Sequence, residues 1–579
     1  MKLLKDLVIT RKELQDSERN IVWARDGTLY ITAYPDICIG QPIYRKEVSN
    51  NSKQLFHIKD YPLELENKFE FEGAGRNALL NSQPVSYTKL CKPCPTASFL
   101  AVLTSNLNVH IFKDQRLICN LDEPDKELER RAYHCVEWSP DGSSLAVGNE
   151  RGEVVIYSLE DHADGSPHFT ANKLIELGHD VATNWIVGID WKDDKIIIML
   201  DNNSIYMVDF SKGGKLTRLR APSRLRLIDS CLLDKFLVYT DSCHLYRVDL
   251  EAEETSSLAL TASDGFKIVP VKGTETVIVI SNKTSCKVQL KGELTLAPDE
   301  IVAPHLERKF KKWSIINNEF SNYEASVLIH GLALSSDGYS LAICYSMERA
   351  TMKYKIASEH MFYITFVPLC HSWTISKYAT GLAWYQCYQI YQCTLPSSAS
   401  KEDIPTPTCD VNMSLRAYIR SLLNNEKMNS WRFFNFIDEH PSIVPFRRAI
   451  FDYAVAKSSE ITNPIDKASI QSLASILRRD SPVTSDIVEL RGEFITESFD
   501  FRTSDTPDYI CSEQQHTWRR CFVSLLPILT TQVKVCPISN QRIIDIKKDN
   551  LNDYGWFTRT LLEELNEESV YTGTAMAAA

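Results

Sequence analysis

The chain has 579 residues, too many for one hydrophobic core, so two or more domains are expected. Hydrophobic residues make up 44% and charged residues 24%, the balance of an ordinary globular protein, which excludes intrinsic disorder. A formal net charge of -11 argues against a general polyanion binder but leaves room for local basic patches.

From its N-terminus, MKLLKDLVITRKELQD mixes charges into its apolar residues, so no signal-peptide core is read, and no run is long enough to cross a bilayer. Sixteen cysteines are scattered without framework spacing, several inside apolar runs such as Ile343-Cys344-Tyr345, and are expected to be reduced, mostly buried thiols of a soluble intracellular protein.

Trp23-Ala24-Arg25-Asp26-Gly27 opens a pattern that returns at Trp138-Ser139-Pro140-Asp141-Gly142 and at Leu334-Ser335-Ser336-Asp337-Gly338. Each copy is followed by an apolar strand: Leu29-Tyr30-Ile31, Leu145-Ala146-Val147 and Leu341-Ala342-Ile343. The turn chemistry is local: proline pre-sets φ, aspartate bonds back to its own backbone, and glycine accepts a positive φ. Residues 50–83 are polar and mixed in charge, and predict an insertion between the first two repeats. Cys91 to Phe112 then reads as strand, turn, strand.

Trp138 to Leu159 is the best-preserved unit. Leu145 to Val147 runs apolar without alternation, like a strand covered on both faces, whereas Val154, Ile156 and Leu159 lie among polar neighbours and predict a more exposed strand. Weaker copies follow at Ile189 to Val208, Ile228 to Leu250 and Ile268 to Leu290. Pro298 to Tyr323 is a second insertion, in which Leu306 to Trp313 predicts a basic, aromatic-bearing helix. Gly381 to Trp384 reads as the last strand.

A lone sheet of this kind cannot bury its faces, and about seven units fit at the period of about 40 to 45 residues seen in WD repeats. The expectation is a mainly β protein, a degenerate seven-bladed WD40-like β-propeller over 1–395. Only Gly178-His179 resembles the Gly-His signature and no blade ends in Trp-Asp. The tryptophans are read as seam packing.

The Pro- and Ser-rich stretch 396–412 predicts a linker. Beyond it the apolar period moves towards 3.6: Leu415, Tyr418, Ile419, Leu422 and Leu423 mark one helix face, Phe446, Ile450, Tyr453 and Ala454 another, and Ile470, Leu473, Ala474 and Leu477 a third. Strand-like runs follow at Phe522 to Ile528 and Gln532 to Cys536, then a final amphipathic helix over about Asp549 to Glu567. Residues 413–579 are thus expected to form a smaller α/β (α+β) domain.

Catalytic motifs are absent from the sequence: Gly213-Gly214-Lys215-Leu216 lacks the remainder of a phosphate loop, and no metalloprotease, nucleophile-elbow or dinucleotide fingerprint occurs. Cys91-Lys92-Pro93-Cys94 has the spacing of half a zinc site or a redox pair, but no second pair at finger spacing. Cys511, His516, Cys521 and Cys536 could close a tetrahedral site in principle, at irregular spacing. Lys212, Lys215, Arg218, Arg220, Arg224 and Arg226 form one basic stretch, and Arg308, Lys309, Lys311 and Lys312 another. Either could meet phosphate or remain a solvated face.

The degenerate repeat, together with HTWRRC (516–521), LLPILTT (525–531) and CPIS (536–539), resembles the WD-propeller subunit family of the tau-B module of yeast transcription factor TFIIIC. The likeness runs nearly end to end, through KLLKDL (2–7), WARDGTLY (23–30), KFKKWS (309–314), HGLALSSDGYS (330–340) and DNLNDYGWFTR (549–559). It implies a non-catalytic nuclear scaffold in RNA polymerase III transcription, linking promoter-bound TFIIIC to TFIIIB through the TATA-binding protein. The implied partners are a sister WD-propeller subunit and the large B-box-binding subunit, with DNA reached mainly indirectly, no membrane and no cofactor.

The family also carries a zinc finger whose ligand positions match His516, Cys521 and Cys536. Its closing cysteine is Ser539 here, so a metal-free remnant is expected. Partner-contact candidates are Arg308, Lys309, Lys311, Lys312, Trp313, Trp518, Trp556 and Phe557, the last two equally readable as core. The competing functions are the acetyltransferase activity attributed to metazoan relatives, against which no acetyl-CoA-binding loop is found, and direct DNA binding through the basic stretches.

Overall fold

The computed structural model describes residues 6–578 apart from 12–19, 33–36, 44–54, 62, 64–86, 96–98, 114–115, 122–131, 162–166, 178–183, 253, 261–266, 273, 283, 317–324, 337, 350–359, 370–411 save Gln386 and Ile390, 424–443, 503–505, 537–538, 571–572 and 574–575. The chain divides into two compact units, Met1–Ser372 with Gln389–Leu395, and Trp373–Tyr388 with Pro396–Ala579.

The described residues of the first unit form seven four-stranded antiparallel sheets. Six are simple meanders: the first blade runs from Ile21–Trp23 to Phe56–Tyr61, the second from Thr88–Pro93 to Arg116–Asn120 and the third from Tyr133–Trp138 to Pro167–Glu176. The fourth runs from Ile186–Lys192 to Lys215–Arg220, the fifth from Asp229–Leu232 to Thr255–Ala259 and the sixth from Lys267–Val271 to Thr295–Pro298. The seventh takes Ala325–Leu334, Ser340–Arg349 and His360–Pro368 from the later part of the first unit and Leu7–Arg11 from its start.

Second strands of the blades are the continuous apolar runs. Phe99–Thr104 is buried throughout, and Leu145, Ala146 and Val147 are inaccessible because neighbouring blades cover both faces. One cluster joins Ala146, Val154 and Ile156 of the third blade to Ile186, Ile196 and Ile198 of the fourth. This is why the third strand departs from expectation: Val154 and Ile156 are buried against the fourth blade and Val155 in a cluster with the second, not exposed. The polar stretch 50–83 is in part no insertion. Phe56–Tyr61 is the outer strand of the first blade, where alternation of buried Phe56 and Tyr61 with exposed His57, Lys59 and Asp60 reads as polar sequence.

Turn chemistry behaves as its residues dictate. Asp141 accepts from Ser139 Oγ at 2.6 Å and from the Ser143 amide at 3.1 Å, and Gly142 has φ 71°. Trp138 lies on a blade seam, donating from Nε1 to Lys92 O at 2.9 Å, and Trp23 packs edge-on against Phe56 and Phe366. Gly178-His179, Gly381 to Trp384 and the stretch 396–411 lie outside the described residues.

Leu7–Arg11 is a strand the sequence pattern does not predict. It pairs Leu7 with Ile364 and Arg11 with His360, so the two ends of the first unit close one sheet. Leu7 and Ile9 face the core, while Val8 points out. Asp6, just before the strand, accepts from Tyr345 Oη at 2.9 Å and pairs with Lys309 Nζ at 2.5 Å. Lys309 belongs to helix α1 (Val302–Ile316), the helix predicted for the second insertion.

In the second unit, α2 (Leu415–Leu423), α3 (Val444–Ala456), α4 (Pro464–Leu477) and α5 (Trp556–Glu564) enclose one core with short two- and three-stranded sheets. The three predicted helix faces are those that are buried. The last helix is shorter than expected because Asp549 turns the chain, accepting from Tyr554 Oη at 2.7 Å. The helix then starts at a fixed point: Asp466 of α4, fully buried, accepts from the Phe557 and Thr558 amides at 3.0 and 2.9 Å. Phe522 to Ile528 is no strand; it is a tight turn that leads to Ile528, described below.

Candidate functional site

α1 is the first surface the sequence singles out. Asp299 fixes its start by accepting from the amides of Ile301 and Ala303 at 2.9 Å. Its inner side is anchored by His305 Nε2, 2.9 Å from Thr365 Oγ1; burial, helped by the charges of Lys309 and Arg308, pushes this imidazole down to about 4, so it stays neutral. Lys309 is turned inward, paired with Asp6 just before the closing strand. Phe310 and Trp313 stack at 6.1 Å, with Trp313 half-buried. Arg308, Lys311, Lys312 and Ile315 follow helical spacing along one exposed stripe, and Ile316 is exposed beside it. Lys311 pairs with Glu307 at 2.8 Å.

The other basic stretch splits. Arg220 is buried, donating to Leu225 O at 3.1 Å and lying over the ring of Tyr239, so it holds the fold. Lys212, Lys215, Arg218, Arg224 and Arg226 are exposed on and beside Lys215–Arg220, the outermost strand of the fourth blade. No carboxylate occurs in 210–228, although Lys212 pairs with Asp209 at 3.8 Å. The outer strands Thr255–Ala259 and Thr295–Pro298 carry no charge at all, so the row is not a device every blade needs to protect its edge.

Cys91 and Cys94 do not form a thiol pair. Cys91 is fully buried with Thr32 Oγ1 at 3.6 Å, its thiol pushed up to about 11 by burial, whereas Cys94 Sγ donates to Gly142 O at 3.7 Å.

In the second unit Phe557 is fully buried core, and Trp518 packs half-buried against the same core. Trp556 is partly exposed and its Nε1 donates to Glu460 O at 3.2 Å. Exposed His516 places Nδ1 2.6 Å from Oε1 of Glu497, which is buried. Burial pushes the Glu497 carboxyl up, but hydrogen bonds from Ser512 and His516 and the His516 charge together hold it below the usual carboxylate range. A depressed carboxylate contributes stability above its unfolded value of about 4.3 and loses it as pH falls through the folded value. Acid unfolding curves of the full chain should therefore show a loss of stability starting near pH 4 that Glu497→Gln flattens; identical acid limbs would remove the role of this carboxylate.

Cys521 and Cys536 are each bracketed by the same pair of backbone bonds. The Cys521 amide donates to Leu526 O at 2.7 Å and the Leu525 amide returns to Cys521 O at 2.9 Å; the Cys536 amide donates to Gln541 O at 2.9 Å and the Asn540 amide returns to Cys536 O at 2.9 Å. Leu525 and Asn540, at the same place in each turn, have φ of 61° and 56°. Ser539 in place of a thiol is evident from the sequence, but its counterpart Ser524, three residues after Cys521, emerges only from the fold. Two guanidinium groups that the sequence does not single out lie against these turns, Arg447 and Arg520, both buried and both pushed down to about 10 by burial, Arg520 also by Arg447.

This arrangement does not fit zinc. Among the described residues no three His, Cys, Asp or Glu side chains group to hold a metal ion; His516 is engaged by Glu497, and Cys511 is exposed on a strand edge.

The described residues thus define a WD40-like β-propeller followed along the chain by an α+β unit. Residues 495–576 match the family described as "Putative zinc-finger of transcription factor IIIC complex". The chain is 46% identical over 587 residues, covering 100% of both, to the "Transcription factor tau 60 kDa subunit" of Saccharomyces cerevisiae, and it belongs to that family of TFIIIC subunits, part of a general transcription factor of RNA polymerase III. Among solved structures, a chain of the mitotic checkpoint complex is 11% identical with TM-score 0.40, over 62% of this chain and 94% of that one. A β-propeller domain from Myceliophteria thermophila is 12% identical with TM-score 0.32, over 45% and 83%.

Proposed function

We propose that the chain is a non-catalytic scaffold in the B-box-binding module of TFIIIC, working in the nucleus and linking promoter-bound TFIIIC to TFIIIB through the TATA-binding protein. The observation that carries this reading is full-length similarity to a transcription factor tau subunit. A propeller supports it physically, because packed blades hold several faces rigidly in place while loops and insertions vary. The α1 stripe of Arg308, Lys311, Lys312 and Ile315 offers a cationic and apolar face for a protein partner such as the sister propeller subunit or the large B-box-binding subunit.

Purifying the tagged full chain from its own cells is the test. Recovery with the other TFIIIC subunits, and with TFIIIB on a tRNA-gene template, is the expected result; recovery alone or in an unrelated assembly would refute it. Substituting Arg308, Lys311 and Lys312 by Glu is expected to weaken one of these associations about tenfold or more while leaving the fold intact. The purified complex should also acetylate no histone peptide through this chain.

The exposed basic row on the outer strand of the fourth blade favours a second reading, direct contact with DNA phosphates. In the assembled complex, alanine at Lys215, Arg218 and Arg224 would then weaken binding to any duplex and flatten the salt dependence by up to about 0.9 log unit for each phosphate no longer neutralised. An unchanged salt slope would leave that row as a solvated face.

A further inference from the structure

We propose that the Cys521 and Cys536 turns are a pair of metal-site knuckles held by guanidinium groups in place of a metal, so that the unit folds without zinc. The inference is independent of how the complex recruits TFIIIB.

A thiolate zinc knuckle supplies two sulfurs from residues three apart, and two knuckles complete a tetrahedral set. Here the same pair of backbone bonds and the same left-handed residue recur after each cysteine, but each position keeps only its first sulfur. The fourth positions are Ser524 and Ser539, whose neutral hydroxyls are poor zinc ligands. One trace of the thiolate geometry remains: the Ser539 amide donates to Cys536 Sγ at 3.4 Å. The turns are side by side, since the Phe522 amide donates to Arg542 O at 2.9 Å.

Arginines do the holding. Arg447 Nη2 donates to Phe522 O at 3.2 Å, and Arg520 Nη1 donates to Leu525 O and, at 3.2 Å, to Ser472 Oγ of α4. Arg520 Nε reaches Tyr509 O at 3.2 Å. On the second turn Arg519 Nη2 donates to Asn540 O at 3.0 Å. A guanidinium presents five donors in a rigid fork and always carries charge, which suits it to gather several carbonyls at one point. The same two buried positive charges, Arg447 and Arg520, stand beside the Cys521 turn. A divalent cation there would be repelled with little water to screen it, and too few thiolates to compensate.

The experiment uses the full chain, purified with its partner subunits from cells grown with ample zinc. Metal analysis is expected to find far less than one zinc per chain, and amide exchange over 519–542 should be the same with and without a chelator. Arg520→Met is expected to speed exchange in the Cys521 turn at least tenfold, with Arg520→Lys restoring only part, because an ammonium cannot span the same acceptors. If Arg520→Met does not fold, Arg519→Gln, at a half-buried position, is expected to speed exchange in the Cys536 turn alone. About one zinc per chain, with chelator-induced loosening of 519–542, would overturn the proposal. So would unchanged exchange in the arginine variants.

Discussion

Asp466→Ala is expected to destabilise the helical unit by about 3 kcal/mol, read as faster exchange of the α5 amides in the full chain. The carboxylate bonds two backbone donors that no intrahelical carbonyl can satisfy, at the end of the helix where the dipole favours negative charge. A charged acceptor of this kind is worth about 1.5–3 kcal/mol per bond, and removing it leaves buried amides bare. Asp466→Asn should lose less, since the amide oxygen still accepts. Gly555→Ala should approach the effect of Asp466→Ala from the other side: a methyl there would lie 2.2 Å from Asp466 Oδ2 and push the carboxylate off its donors. Losses below about 0.5 kcal/mol in all three would mean that packing of Phe557, Leu561 and Leu562 alone anchors the helix.

Leu7→Asp is expected to open the seventh blade at a cost above about 4 kcal/mol, because it buries an unpaired charge under the closing strand. Val8→Asp supplies the control one residue away. Val8 is 45% exposed on the opposite face, so its replacement should stay within about 0.5 kcal/mol. Thermal unfolding of the full chain compares them, and equal effects would mean that the strand is not what closes the ring.

These two sites also mark the limits of the sequence. Trp138-Ser139-Pro140-Asp141-Gly142 can be read directly, because a turn is made by residues that touch one another. The α1 helix is equally legible as a basic helix, but the sequence reading groups Lys309 with Arg308, Lys311 and Lys312, and only the fold shows that Lys309 goes to Asp6. Leu7–Arg11 is not legible as a strand, since its partner lies more than 350 residues away and five residues carry little pattern.

The cysteine turns are hidden for another reason. Asn540 is a residue that often adopts positive φ, but Leu525 is not, so nothing in the sequence sets Phe522 to Ile528 apart from a strand. Arg447 and Arg520 are not singled out by the sequence because acceptors such as Phe522 O for Arg447 and Ser472 Oγ for Arg520 come from segments distant in the chain. Val154 and Ile156 look exposed for a like reason, their cover being supplied by the next blade.

The seventh blade also sets a schedule. At a synthesis rate of about 5–20 residues per second, the strand at Leu7 waits roughly 20–70 s for its partner around Ile364 to be made. Throughout that interval the Ala325 to Pro368 side of the ring is missing, and Leu7 and Ile9 lack the part of their cluster that Ala342, Cys344 and Ile364 supply. Loop-closure entropy grows only logarithmically with length, so the distance itself adds little free energy. The vulnerability is kinetic: a nascent chain carries one unpaired apolar strand from the first moments of translation, and chaperone occupancy of residues 7–11 should end only as His360 to Pro368 leaves the ribosome.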